Sequence, residues 1–120
     1  MRILLLDDDI ELAATLKDVL ALDGHDVETV TTIEAARQAI ASMPRFDVGV
    51  FDLNLEEENT INLLRSLKKE VPSMRILAMT GGGKVGADIG LPLATAHGAD
   101  GVLLKPFSND EFLKAVSNTD

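Results

Sequence analysis

Five short runs of β-type residues alternate strictly with segments of helical period, and this alternation constrains the fold more than any other feature of the chain. The strand candidates are Arg2 to Leu6, Asp26 to Val30, Asp47 to Phe51, Arg75 to Met79 and Gly101 to Leu104. Amphipathic segments separate them. The first carries Leu12, Leu16, Val19 and Leu20 on one face, the second Ile33, Ala36, Ile40 and Met43, and the third Ile61, Leu64 and Leu67 ahead of the breaker Pro72. A fourth, around Ala87 to His97, is interrupted by Gly90 and Pro92. The last, a short helix with Phe112, Leu113 and Val116, opens on Ser108-Asn-Asp-Glu111, the spelling of a capping box. Parallel strands need a crossover between them, usually a helix. The pattern therefore predicts an α/β fold, a doubly wound parallel five-stranded sheet with helices on both faces. Runs one, three and four are almost wholly apolar, as strands covered on both sides should be. At 120 residues the chain fits one domain with a real core.

In open parallel sheets ligands bind beyond the carboxyl ends of the strands, where the strand order reverses. Every strand-end loop on that edge except the second carries a distinctive polar group. Asp7, Asp8 and Asp9 follow run one, Asp52 follows run three, Thr80 follows run four, and Lys105 with Pro106 follows run five. Adjacent carboxylates repel and raise one another's pKa, so such a trio is costly unless a cation sits with it. Carboxylates, a hydroxyl and an ammonium converging on one edge describe a site for a hard divalent cation and a phosphoryl group. Mg²⁺ prefers a few carboxylate oxygens completed by water and phosphate oxygens. A lysine neutralises the oxygens that the metal does not reach, and a threonine hydroxyl donates to another.

Composition narrows the partners. Lys and Arg number 11 against 20 Asp and Glu, a net charge of −9, which argues against direct binding of nucleic acid through its phosphates. A basic or metal-bearing partner fits better. The aromatics are Phe46, Phe51, Phe107 and Phe112, with no Trp or Tyr, so no base-stacking platform is spelled. With no cysteine there is neither a disulfide framework nor a thiolate metal site. No apolar run is long enough to insert in a membrane, and no secretory signal is spelled at Met1, so a cytoplasmic protein is expected.

The segments "LLLDDD", "VGVFDLNL", "ILAMTG" and "GADGVLLKPF", in this order and at these spacings, make the chain resemble the receiver domains of two-component response regulators over essentially all 120 residues. The resemblance implies a single flavodoxin-like (βα)5 domain over residues 1–120, with strand order 2-1-3-4-5. It implies that Asp52 is the phosphoacceptor, taking a phosphoryl group from a histidine kinase or a histidine phosphotransfer protein. By the same resemblance Asp7, Asp8 and Asp52 hold Mg²⁺, the second of the acidic pair directly and the first through water, with the backbone carbonyl of Asn54 completing the shell. Thr80 and Lys105 would engage the phosphoryl oxygens, and Pro106 would follow a cis peptide bond. Output would pass by protein contact to an unidentified partner, through the face of the fourth helix, fifth strand and fifth helix. The chain would be a switch rather than an enzyme, with no chemistry beyond its own phosphorylation and dephosphorylation. It would be either a stand-alone receiver or a receiver cut from a longer protein. The chemistry agrees with the resemblance, since an aspartate attacking a dianionic phosphoryl group needs charge neutralisation more than a general base.

The chain departs from the family pattern in three places. Glu56 stands where receivers usually have Pro, Thr60 where they have Gly, and Val102 where many have a switching Tyr or Phe. A valine cannot swing between buried and exposed poses as a ring does, so the glycine-rich stretch "TGGGKVGADIG" is a candidate for a mobile switching loop. These departures motivate a second reading, a degenerate receiver serving as a constitutive interaction module. A third, a Mg²⁺-dependent phosphohydrolase, needs an acid or base where Asn54 stands. Plain structural readings cover the rest. Asp9 is a helix cap, and "GGGKVG" is no phosphate loop because Val85 follows Lys84. His25 and His97 are surface residues, Lys68 and Lys69 form the outer face of a helix, and Glu56 to Glu58 are a solvated loop.

Overall fold

Successive residues of a strand face opposite ways, yet Ile3, Leu4, Leu5 and Leu6 are all fully buried, Ile3 and Leu5 in one apolar cluster, Leu4 and Leu6 in another. Only a strand lying between two covering layers does this. In the computed structural model, which describes residues 1–42, 45–53, 57–80 and 98–117, that strand is β1 (Arg2–Leu6). It is followed by α1 (Ile10–Leu22), β2 (Asp26–Val30), α2 (Ile33–Ser42), β3 (Val48–Asp52), α3 (Glu57–Glu70), β4 (Arg75–Thr80), β5 (Gly101–Leu104) and a last described helix, α4 (Asn109–Ser117). All strands pair in parallel, in the order β2-β1-β3-β4-β5, as expected. The order reverses at β1, whose Leu6 stands opposite Phe51 of β3, so the residues that follow each strand emerge side by side.

Helices cover both faces. Leu16 and Leu20 of α1 and Phe112 and Val116 of α4 pack with Ile3, Leu5, Val50, Leu77 and Met79 on one side. Ala36 and Ala39 of α2 and Leu63, Leu64 and Leu67 of α3 pack with Leu4, Leu6, Phe51, Ile76 and Ala78 on the other. Gly49 is required in β3, because a Cβ there would lie 2.6 Å from the ring carbons of Phe51. The helix starts are set by short polar side chains. Asp9 accepts from the amide of Leu12 at 3.1 Å, Thr32 accepts from that of Ala35 at 3.1 Å, and Ser108 and Glu111 cap α4 reciprocally, each accepting from the other's amide at 3.1 Å.

Two strands run one residue further than their apolar runs, so Asp52 ends β3 and Thr80 ends β4, and neither lies in a loop. The amide of Leu53 donates to the Met79 carbonyl at 2.9 Å and that of Lys105 to the Thr80 carbonyl at 2.7 Å. Backbone pairing, which side-chain hydropathy does not report, sets those ends. His25 is not a surface residue. Its side chain is 11% exposed, with Nδ1 3.0 Å from the Met1 amino group and Nε2 3.3 Å from Asp23 Oδ2. Lys68 is not a free outer cation either. Its ammonium donates to both oxygens of Asp100, at 2.7 and 2.8 Å, while Asp100 Oδ2 also accepts from the Ile76 amide at 2.8 Å, tying α3 to the start of β4. Met43, the expected fourth helix with His97, residues 81–90 of the glycine-rich stretch, and Asn54 with Glu56 lie outside the described residues.

Thr60 is fully buried on the inward stripe of α3, and among the described residues its hydroxyl has no hydrogen-bond partner. A buried hydroxyl without a partner costs free energy that an isosteric methyl does not. Thr60→Val is expected to raise stability by about 1 kcal/mol, read from the midpoint and slope of urea unfolding.

Candidate functional site

β1 and β3 deliver the acidic residues to one point. Asp7 follows the last residue of β1 and Asp52 ends β3, and the register between those strands sets them side by side. Both sit at the polar edge of an otherwise apolar sheet, Asp7 with no exposure and Asp52 with 2%, whereas Asp8 is exposed. One carboxylate oxygen from each of Asp7, Asp8 and Asp52 lies within 4.8 Å of the others. β5 brings the opposite charge, since Lys105 follows its last residue. The Lys105 ammonium lies 3.2 Å from Asp7 Oδ2 and 3.4 Å from Asp52 Oδ2. Thr80, fully buried at the end of β4, pairs in register with Leu104, the residue before Lys105. The Lys105–Pro106 peptide bond is cis, as expected.

Asp7 Oδ1 accepts from the Asp9 amide at 2.9 Å and Oδ2 from Lys105, so each of its oxygens already has a donor. Asp8 faces solvent. Burial pushes the Asp7 carboxyl above its ordinary value of 3.8, opposed by the Asp9 amide, reinforced by the charge of Asp52 and opposed again by Lys105. Asp9 stands apart as the cap of α1, as its position suggests. Within this group, three carboxylates face one ammonium. A donor set made only of oxygens, carrying excess negative charge and opening to solvent at Asp8, fits a hard divalent cation and does not favour softer metals.

Comparison with known proteins shows the family. The family model for the response regulator receiver domain matches residues 3–117. The chain belongs to that family. The receiver is 35% identical to the response regulator protein PmrA of Pseudomonas aeruginosa over 116 residues, which is 97% of this chain and 51% of that protein. A CpxR homologue of Haemophilus influenzae is 34% identical over 96% of this chain and 48% of its own length. The chain thus spans about half the length of these curated relatives. Among solved structures, a response regulator receiver domain protein of Clostridium thermocellum superposes with a TM-score of 0.83 at 29% identity, covering 98% of this chain and 91% of that one. A response regulator protein of Burkholderia pseudomallei, solved with a phosphorylated aspartic acid, a calcium ion and citrate, gives a TM-score of 0.83 at 26% identity over 98% of this chain and 66% of its own.

Of the residues that the sequence nominated, the structure gathers Asp7, Asp8, Asp52 and Lys105, sets Thr80 on the strand beside them, and does not describe Asn54. Two residues beside the site gave no signal of their own in the sequence. Ile10, at the start of α1, is 72% exposed, and Phe107, two residues after Lys105, stacks on Phe112. The apolar period of α1 begins at Leu12, so Ile10 could have been read as lying off its buried face.

Because the folded-state pKa of Asp7 is raised, the folded protein holds that proton more readily than the unfolded chain. The contribution of Asp7 is then favourable below 3.8 and is lost as pH rises through the raised value. In the absence of divalent cations, Asp7→Asn is expected to gain stability over the native receiver as pH rises from about 3 to about 7, measured as paired urea midpoints. Mg²⁺ at about ten times its dissociation constant should stabilise the native receiver by about 1.4 kcal/mol and Asp7→Asn by less.

Proposed function

We propose that the receiver is a phosphorylation switch in which Asp52 accepts a phosphoryl group from a phosphohistidine on a histidine kinase or phosphotransfer protein. The observation that carries this reading is the Asp52 carboxylate, buried at the end of β3 with an ammonium 3.4 Å away and the acid pair Asp7 and Asp8 beside it. An oxygen of Asp52 bonds to phosphorus while the P–N bond breaks, its electron pair staying on the imidazole of the donor. The nucleophile is already a carboxylate, so no base is required. Lys105 would balance the negative charge on the phosphoryl oxygens, and Thr80, which ends the strand next to β3, would donate its hydroxyl to one of them. Asp7, Asp8 and Asp52 would hold Mg²⁺, with the carbonyl of Asn54 as a further ligand. When bound, the ion supplies charge neutralisation of the phosphoryl oxygens.

The protein is read as a switch and not as an enzyme on an outside substrate, its only chemistry being the formation and loss of its own acyl phosphate. Output passes by contact with another protein, and Leu104, 46% exposed on the edge strand β5, supports that side of the fold as the one that is read. Among the described residues no helix is long and apolar enough to cross a membrane, in keeping with a cytoplasmic site of action. The donor lands on the other side of the site, where Ile10 offers exposed apolar ground.

Intact mass after incubation with a small phosphodonor is expected to rise by one phosphoryl group in the presence of Mg²⁺, and not to rise with EDTA or in Asp52→Asn. An unchanged mass in the native receiver overturns the proposal. Ile10→Gln should slow transfer from a protein phosphohistidine by about tenfold, the worth of one buried apolar side chain. Labelling by the small donor should be unaffected.

A further inference from the structure

β2 forms one free edge of the sheet and β5 the other. Along β2 the backbone groups face alternately toward β1 and away from it. The Asp26 amide donates to the Met1 carbonyl at 2.9 Å and the Asp7 amide to the Val30 carbonyl at 3.1 Å, so residues 26, 28 and 30 turn their amides and carbonyls toward β1. Those of Val27 and Thr29 turn to the open side, where nothing among the described residues pairs with them. Two donors and two acceptors thus stand free over about 7 Å of strand. Such a row is a template for a further strand unless the side chains around it forbid one.

A concavity of about 290 Å³ lies along this edge, lined by Val27, Glu28 and Thr29 of β2, by Lys17 of α1, and by Arg2 with Phe46. Val27 and Thr29 stand beside Ile3 and Leu5 of β1, on the face that α1 covers, and Lys17 reaches the edge from that side. Glu28 stands beside Leu4, on the face that α2 covers. Arg2 is neutralised by Asp26 at 2.6 Å and lies over the Phe46 ring, 5.1 Å from its centroid. Among the described residues Lys17 and Glu28 have no ion-pair partner. The free edge is therefore flanked by one unmatched cation on the α1 side and one unmatched anion on the α2 side.

We propose that β2 is a docking edge for an extended segment of another protein, one that sets a lysine or arginine opposite Glu28 and an acidic residue toward Lys17. Backbone bonds to Val27 and Thr29 supply the affinity, and alternate side chains supply the choice of partner. The residue opposite Glu28 shares its face of the sheet, while the residues on either side of it point to the other face, where Lys17 waits. Opposite charges across a strand pair stabilise it, and like charges directly opposite destabilise it. A second copy of the chain does not fit for that reason. Antiparallel pairing of two β2 strands about Glu28 sets Glu28 against itself, and pairing about Val27 sets Asp26 against Glu28. The inference stands apart from the phosphoacceptor reading of Asp52.

The test titrates the receiver with a capped heptapeptide, Val-Thr-Glu-Lys-Val-Thr-Val, and with its charge-swapped form, Val-Thr-Lys-Glu-Val-Thr-Val, and follows the amide resonances of Val27 and Thr29. The first peptide should shift both resonances saturably, and the swapped one should bind about fivefold more weakly. Glu28→Gln, which keeps the size of the side chain, should at least halve that preference, and Lys17→Glu combined with Glu28→Lys should reverse it. Methylating the amide nitrogens of the three central residues of the first peptide should abolish binding, because no ladder can then form. The proposal is overturned by the absence of a saturable shift at Val27 and Thr29, by a preference that survives Glu28→Gln, or by undiminished binding of the methylated peptide, which would reduce the contact to surface charge. It is also overturned if those amides shift with receiver concentration alone, which would assign the edge to a second copy.

Discussion

The ammonium of Lys105, set between the carboxylates of Asp7 and Asp52 at 3.2 and 3.4 Å, is the interaction on which the functional edge depends. Burial in this apolar sheet edge pushes the Asp7 carboxyl above its ordinary value. One lysine shared between Asp7 and Asp52 moderates that cost but does not cancel it, since Asp8 adds a third negative charge within 4.8 Å. The site is therefore built with a deficit of positive charge. A hard divalent cation would remove the deficit, and on the proposed reading a phosphoryl group reaching Asp52 would meet a centre with its counter-charge in place.

The sheet exists to hold that arrangement. Asp7, Asp52, Thr80 and Lys105 come from distant parts of the chain, and each lies at the carboxyl end of a different parallel strand. Their spacing is set by the ladder between strands, and the ladder is kept in register by two apolar layers that bury Ile3, Leu4, Leu5 and Leu6 completely. Close packing beneath the site has a second consequence. Phe112 and Met79 share a cluster with Leu5 and Val50, so a displacement at the edge is felt in the helices that cover the sheet.

Much of this was legible from residue order. The alternation of apolar runs with helical periods specified a parallel sheet, and the spelling at Asp9 and at Ser108 to Glu111 specified two helix starts that the structure reproduces. What was not legible has a common cause. Hydropathy does not record backbone pairing, so the apolar runs stop one residue short of the strand ends at Asp52 and Thr80. Nor does it record which polar side chain reaches another across the fold. Lys68 looks like any outer helical cation until the loop before β5 presents Asp100 to it, and His25 looks like a turn residue until Met1 and Asp23 close around it.

By itself the sequence determined the kind of chemistry. It set the order of the strands, put an acid, a hydroxyl or an ammonium at the carboxyl ends of four of the five, and through its motifs identified the family to which the chain belongs. Tertiary structure decided how those groups are used. Three-dimensional packing buried Asp7 and Asp52 and left Asp8 in water, gave Lys105 two carboxylates to divide itself between, and stacked Phe107 on Phe112. The physical reason is that local pattern fixes which face of a strand or helix is apolar, whereas desolvation and charge pairing depend on groups that only the parallel register brings within a few ångströms of one another.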